Sequence, residues 1–104
     1  YPGKVVGTAR VTPLLSTPDE YREYIQSLTN EDIVVAAMTS PELTTSFKKV
    51  RGVITDEGGL MSHAALISRE TKTPCVIGTK YATRFLKDGE KILLDADSGI
   101  VTKI

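Results

Sequence analysis

Apolar and polar residues along this 104-residue chain follow short patterns whose period changes from one segment to the next. Alternating positions, or short apolar runs between turn residues, predict strands, and these segments are 5–11, 33–37, 52–55, 74–78, 91–95 and 100–104. Apolar residues spaced three and four apart predict short helices that begin near residues 18, 41, 63 and 81. Short strands mixed with three or four short helices predict a single α/β or α+β domain.

The first predicted helix has the most complete start signal. Thr17 can cap the first backbone N–H groups, Pro18 suits the first helical position, and Glu20 can complete a capping box. One face of this helix is apolar, and its residues are Tyr21, Tyr24, Ile25 and Leu28. The charged residues between them are therefore expected to face solvent.

The second predicted helix, which follows Ser40-Pro41, ends in three cations, Lys48, Lys49 and Arg51. Cations at the end of a helix complement the negative pole of its dipole, and this is the simpler interpretation. The alternative is a phosphate-binding patch, because three neighbouring cations attract anions. The sequence leaves both interpretations open.

Charge and composition exclude several classes of partner. Thirteen Lys and Arg residues balance thirteen Asp and Glu residues, so the chain lacks the basic surface that binds nucleic acids or anionic membranes. No apolar run approaches the ~20 residues that span a bilayer. A single cysteine, Cys75, allows no internal disulfide, which predicts a reducing, cytoplasmic setting. The chain starts at Tyr1 rather than methionine, so we expect a fragment of a longer protein.

The one histidine of the chain, His63, opens the third predicted helix. The Gly58-Gly59 loop before it allows the backbone to turn sharply or to approach a ligand closely. A helix N-terminus offers free N–H groups and partial positive charge, which favour a bound anion and a neutral imidazole. A neutral imidazole can attack phosphorus and hold a phosphoryl group covalently. By spacing alone, a capping or packing role for His63 also remains open.

Other catalytic chemistries fit the sequence less well. A zinc site needs about four ligands, and one histidine with one cysteine cannot supply them. Cys75 lies in a predicted buried strand, where thiols are usually inert, and this disfavours a Cys75–His63 dyad. Asp56 and Glu57 are neighbours in a predicted extended loop and would point apart, which argues against paired acid–base catalysis.

Two runs form a long composite signature: TDEGGLMSHAALISRE at 55–70 and PCVIGT at 74–79. This signature resembles the mobile, phosphohistidine-carrying swivelling domain of the phosphoenolpyruvate-utilising enzymes, and it is most similar to that of phosphoenolpyruvate synthase. The resemblance extends to the first strand, with its Gly7, and to the closing hairpin, and so covers nearly the whole chain. It implies one compact β/β/α swivelling domain over residues 1–104.

The resemblance implies roles for five residues. His63 matches the histidine that accepts the phosphoryl group, and Ser62 matches the small residue before it. Gly58 and Gly59 match the loop that leads to the histidine, and Arg69 matches the arginine of the helix. Six helical positions separate the side chains of His63 and Arg69 by about 120° around the axis. A structural pairing of Arg69 is therefore expected rather than contact with the phosphate.

The function that the resemblance implies is that of a phosphoryl carrier. In the family, the domain swings between a nucleotide-binding domain and a pyruvate/phosphoenolpyruvate-binding barrel, as when phosphoenolpyruvate synthase makes phosphoenolpyruvate from ATP and pyruvate. Mg²⁺ and ATP are expected on those partner domains, so this chain is expected to bind no cofactor or metal and not to turn over alone. Two alternatives stay open. One is the same step in pyruvate phosphate dikinase, rifampicin phosphotransferase or Enzyme I, and the other is a non-catalytic swivelling-type binding or structural module.

Three departures from the family pattern stand out, and one of them is Cys75, which replaces a common alanine with another small residue and carries no chemical message. Met61 stands where many members have threonine, so regulation by phosphorylation of that threonine is not expected here. Lys72 stands where many members have glycine, which suits a left-handed helix end. A lysine in that conformation is predicted to cost about 1 kcal/mol, unless the helix ends differently.

Overall fold

The computed structural model describes residues 3–12, 17–36, 43, 45–56, 63–77, 79 and 82–104, and at residues 63–66 and 82 it describes the backbone only. The elements are, in chain order, β1 (Lys4–Val11), α1 (Pro18–Ser27), β2 (Asp32–Ala36), β3 (Gly52–Thr55), α2 (His63–Thr71), β4 (Cys75–Val76), α3 (Ala82–Phe85), β5 (Lys91–Asp95) and β6 (Ile100–Lys103). This mixture of strands and short helices confirms the predicted α/β class.

The six strands form one mixed sheet in the order β4-β3-β2-β1-β5-β6. Strands β1 to β4 run parallel to one another, with Ile33 of β2 paired to Gly52 of β3. Strand β5 runs antiparallel to β1, with Lys4 opposite Asp95, and it forms the predicted hairpin with β6. The carboxyl ends of β1 to β4 therefore meet at one edge of the sheet, which we call the carboxyl edge.

Both faces of the sheet are covered, and every residue of β2 and β3 is buried, as is typical of parallel strands. One face carries a cluster of buried apolar residues, which includes Leu86, the residue after α3. The members of this cluster are Ala9, Ile33, Val35, Ile54, Val76, Leu86, Ile92 and Leu94. The other face lies against α1, the 43–50 segment and α2, and its buried members are Leu28, Val34, Ala36, Leu43, Phe47, Val50 and Val53. We call these the first and second clusters.

Two glycines allow close packing across the sheet. A Cβ atom on Gly7 would lie 2.6 Å from the carbonyl oxygen of Glu31, so β1 and the turn before β2 come together only because Gly7 has no side chain. A Cβ atom on Gly52 would lie 2.5 Å from Cδ2 of Leu94, although β3 and β5 are not adjacent strands. The sheet therefore curls, so that β5 reaches over the start of β3.

Helix α1 begins and packs as its sequence predicts. The Thr17 hydroxyl accepts a hydrogen bond from the backbone N–H of Glu20 at 3.2 Å, and Pro18 occupies the first turn. Tyr21 and Tyr24 are partly buried against the second cluster, while Leu28, just past the helix, is buried in it. The polar face is exposed, as expected of an amphipathic surface helix.

The second predicted helix is described only in part. Ser40-Pro41-Glu42 lie outside the described residues, Leu43 is helical, and positions 45–49 form turns. The apolar residues of this segment are buried, including Leu43 and Phe47. The structure therefore has helical backbone at Leu43 and turns where the spacing of Phe47 and Val50 predicts its continuation.

The cations of this segment contact neighbouring elements. The Lys49 ammonium donates to the carbonyl oxygens of Ile25 at 3.0 Å and Gln26 at 3.4 Å, in the last turn of α1. The Arg51 guanidinium donates to the carbonyl oxygen of Val6 in β1 at 2.8 Å. Lys49 thus lies at the C-terminal end of α1, where a cation complements the dipole of that helix.

Helix α2 ends in a Schellman motif. The N–H of Thr73 donates to the carbonyl of Ser68 at 2.9 Å, and the N–H of Lys72 donates to that of Arg69 at 3.4 Å. The φ of Lys72 is 55°, in the left-handed region that favours glycine. Of the two helix ends left open at Lys72, the structure has the left-handed one.

Replacing Lys72 by glycine is expected to raise the free energy of unfolding by about 0.5–1 kcal/mol, because the left-handed strain is removed. Lys48→Gly is the matched control, since Lys48 is an exposed turn lysine without a positive φ and should lose stability through added chain entropy. Urea denaturation measures both. Equal effects of the two substitutions would contradict the strain at Lys72.

Candidate functional site

The carboxyl edge of the sheet is where the candidate histidine is placed. Strand β3 ends at Thr55, and α2 begins at His63 and leads back to the parallel strand β4. A crossover helix between parallel strands starts at the edge where the first strand ends. The backbone of His63 therefore lies at the carboxyl edge, as the first residue of its helix.

The other predicted site residues are only partly described. Gly58, Gly59 and Ser62 lie outside the described residues, as does Met61. Arg69 is exposed in the last turn of α2. It stands six residues after His63, which is about 9 Å along a helix axis.

The first turn of α2 is suited to an anion in its charge pattern. Its sequence contains no acidic residue, whereas the first turn of α1 contains Asp19 and Glu20. Acidic side chains in a first turn offset the partial positive charge of the helix N-terminus. At α2 no acidic side chain of the first turn offsets this partial positive charge, so the charge favours binding of an anion from outside the helix.

The far end of α2 is firmly attached to the sheet. Ile67 packs against the second cluster, and Ser68 is fully buried. The Thr73 hydroxyl, just after the helix, donates to the carbonyl oxygen of Phe47 at 2.6 Å. These contacts hold the helix that begins at His63.

A carboxylate at the carboxyl edge makes contacts that no sequence pattern indicates. Asp56, the residue after β3, accepts hydrogen bonds from the backbone N–H of Thr83 at 3.1 Å and from the Thr83 hydroxyl. It also accepts a longer one, at 3.4 Å, from the Thr79 hydroxyl. Thr83 belongs to α3 and lies far from Asp56 in the chain, so only the folded sheet brings them together.

The backbone around Asp56 is held on both sides. Its N–H donates to the carbonyl of Ala36, the last residue of β2, at 3.0 Å. The carbonyl of the preceding residue, Thr55, accepts both the N–H and the hydroxyl of Thr79, each at 3.1 Å. The point where the chain leaves β3 toward His63 is therefore tied to two neighbouring elements.

Cys75 has the properties of a packing residue. It lies in β4, partly buried against the second cluster. Burial raises the pKa of its thiol above the ordinary value, which lowers the fraction of reactive thiolate at neutral pH. This argues against a thiolate nucleophile at this position.

The described part of the chain was also compared with the requirements of metal and membrane sites. Within it, no three His, Cys, Asp or Glu side chains lie close enough together to hold a metal ion. Among the described helices, none has the length and apolar character needed to cross a bilayer.

Comparison with known proteins gives a consistent family. The family model "PEP-utilising enzyme, mobile domain" matches residues 28–99. The chain is 39% identical over 98 residues to a phosphoenolpyruvate synthase of Pyrococcus furiosus, covering 94% of the chain and 11% of that protein. It is 38% identical over 99 residues to a rifampicin phosphotransferase of Bacillus cereus, covering 95% of the chain and 10% of that protein.

A solved structure has a similar fold. A solution NMR structure of Enzyme I superposes with a TM-score of 0.66 at 33% identity, covering 76% of this chain and 33% of that one. The chain thus spans about a tenth of the length of the curated relatives it matches and about a third of this structural neighbour.

Proposed function

The chain belongs to the mobile-domain family of the phosphoenolpyruvate-utilising enzymes, and on that basis we propose that it is a phosphoryl-carrier domain in which His63 is transiently phosphorylated. The observation that carries the proposal is the position of His63, the only histidine of the chain, at the first residue of α2 on the carboxyl edge. One of the relatives named above is a phosphotransferase by name and the other is a phosphoenolpyruvate synthase, and both names support a phosphoryl-transfer reaction.

In the proposed step, a neutral nitrogen of His63 attacks the phosphorus of a donor. An N–P bond forms, the P–O bond to the donor breaks, and the electron pair leaves on the donor oxygen. N–H groups of the first turn of α2, with the Ser62 hydroxyl, stabilise the phosphoryl oxygens, and Gly58 and Gly59 let the backbone come close. Transfer to the acceptor reverses these bond changes.

We assign donor and acceptor binding to other domains of a longer protein, in line with the small share of each relative that the chain spans. One partner is a nucleotide-binding domain, and the other is a barrel that binds pyruvate or phosphoenolpyruvate. ATP and Mg²⁺ belong to those domains, so this chain supplies the nucleophile and not the pockets. The single cysteine supports a reducing, cytoplasmic setting.

The overall reaction that we favour is that of phosphoenolpyruvate synthase, which forms phosphoenolpyruvate from ATP and pyruvate. The second candidate is the same carrier step in an antibiotic phosphotransferase, because the identities to the two relatives, 39% and 38%, are nearly equal. The two candidates share the phosphohistidine and differ in the acceptor.

Labelling of the full-length protein tests the proposal. It is incubated with Mg²⁺ and either ³²P-labelled phosphoenolpyruvate or ATP labelled in its β- and γ-phosphates. We expect label that is stable to base, lost in acid and confined to the tryptic peptide 52–69, whose only histidine is His63. Acid-stable label, or label outside that peptide, would overturn the proposal. Supplying pyruvate or rifampicin as acceptor then separates the two candidates.

A further inference from the structure

We propose that Asp56 is a positioning residue for His63, because its carboxylate ties the start of the β3–α2 connection to α3. The inference rests on the proposed function, since it concerns the same histidine. It adds a residue that the resemblance does not single out and that touches neither the phosphoryl group nor the imidazole in the proposed step.

The first argument is the number and direction of the contacts. Asp56 accepts two hydrogen bonds from Thr83 and a weaker one at 3.4 Å from the Thr79 hydroxyl, whose one proton is shared with the Thr55 carbonyl, and all come from the β4–α3 side of the sheet. Hydrogen bonds to an ionised carboxylate are stronger and more directional than those between neutral groups. The carboxylate therefore fixes the residue at the end of β3 relative to α3, beyond what the strand pairing alone provides.

The second argument is the place of Asp56 in the chain. Asp56 directly follows β3, and the helix α2, which begins at His63, comes next among the described elements and leads to Thr73 and β4. The return to the sheet is held by the Thr73 hydroxyl on the Phe47 carbonyl, at the far end of α2 from His63. Asp56 fixes the chain where it leaves β3, at the same edge of the sheet as His63. We therefore expect that loss of the Asp56 contacts displaces the nucleophile, His63.

The chain offers a matched control carboxylate in Asp95. It also accepts hydrogen bonds at the end of a strand, from the N–H groups of Asp97 at 3.1 Å and Ser98 at 3.2 Å. Asp95 is paired with Lys4, the first residue of β1, so it lies at the opposite edge of the sheet from Asp56. Its loss should affect stability without affecting phosphoryl transfer.

The test measures single-turnover labelling of His63 in the full-length protein with ³²P-labelled phosphoenolpyruvate. We expect Asp56→Ala to lower the labelling rate constant about 10- to 100-fold, because small errors in orientation reduce rates steeply, with the KM for phosphoenolpyruvate unchanged. Thr83→Val should lower the rate in the same way, and Thr83→Ser, which keeps the hydroxyl, should restore it. Asp95→Ala should stay within about twofold of the parent rate.

The double variant Asp56→Ala/Thr83→Val should be no slower than Asp56→Ala alone, because the two residues form one interaction. Labelling of Asp56→Ala at the parent rate, an equal loss in Asp95→Ala, or strictly additive effects would each overturn the positioning role. His63→Ala is measured alongside. Persistent label in that variant would refute the carrier function itself, and this result is distinct from failure of the Asp56 variants.

Discussion

Replacing His63 by alanine is expected to abolish covalent phosphorylation of the chain and to lower turnover of the full-length protein by more than about 10³-fold. The reason is that no second histidine exists in the chain to take over the N–P bond. Acid-labile label, and steady-state turnover of ATP or phosphoenolpyruvate, measure the two parts of this result.

The fold of the His63→Ala variant should survive, since alanine is a better helix former than histidine and the position is a helix terminus. We expect its free energy of unfolding to stay within about 0.5 kcal/mol of the parent value. Glu70→Ala is the control, because it changes an exposed residue of the same helix and should keep full labelling. Residual turnover at the parent rate would leave only a structural role for His63.

Replacing Phe47 by alanine is expected to lower the free energy of unfolding by about 3–5 kcal/mol. Phe47 is 0% exposed in the second cluster, and its carbonyl accepts the Thr73 hydroxyl at the end of α2. Domains of this size are stable by about 5–15 kcal/mol, so this one ring accounts for a large share of the total. Denaturation in guanidinium chloride, followed by circular dichroism, measures the loss.

The other phenylalanine of the chain provides the control. Phe85 is 55% exposed, and its ring centroid lies 4.4 Å from the Lys103 ammonium. An exposed cation–π contact contributes about 0.5–1 kcal/mol, and Phe85→Ala should cost no more than that. Similar losses at Phe47 and Phe85 would contradict the assignment of Phe47 to the core.

Elements with local signals were predicted well from the sequence. The cap and apolar face of α1 lie within a dozen residues, and β3 is a short apolar run between breakers, so both were found with nearly correct bounds. The left-handed end at Lys72 was one of two alternatives that the family pattern left open. In each case the residues that decide the structure are close together in the chain.

Features that depend on distant contacts were not predicted. The spacing of Leu43, Phe47 and Val50 predicts one continuous helical face, whereas the described residues have helix at Leu43 and turns at 45–49. Within residues 74–77, the described part of the predicted strand 74–78, β4 spans Cys75–Val76, which pair with β3. The order of the strands, with β1 between β2 and β5, has no local signal at all.

The candidate site shows the same division. The start of α2 at His63 follows from the pattern that precedes it, so its place at the carboxyl edge could be anticipated once β3 and β4 were identified. The link from Asp56 to Thr83 joins the residue after β3 to helix α3, and these lie far apart in the chain. No local pattern around either residue indicates this contact.

The position of β1 inside the sheet has a consequence for biosynthesis. Its antiparallel neighbour β5 is the fifth of the six strands to be synthesised. One side of β1 therefore stays unpaired until β5, with Asp95 opposite Lys4, has been made. Until then a nascent chain presents an open strand edge, which favours pairing with other chains. Contacts across so much of the chain also form slowly. We therefore expect the domain to complete its fold only after nearly all of it has left the ribosome.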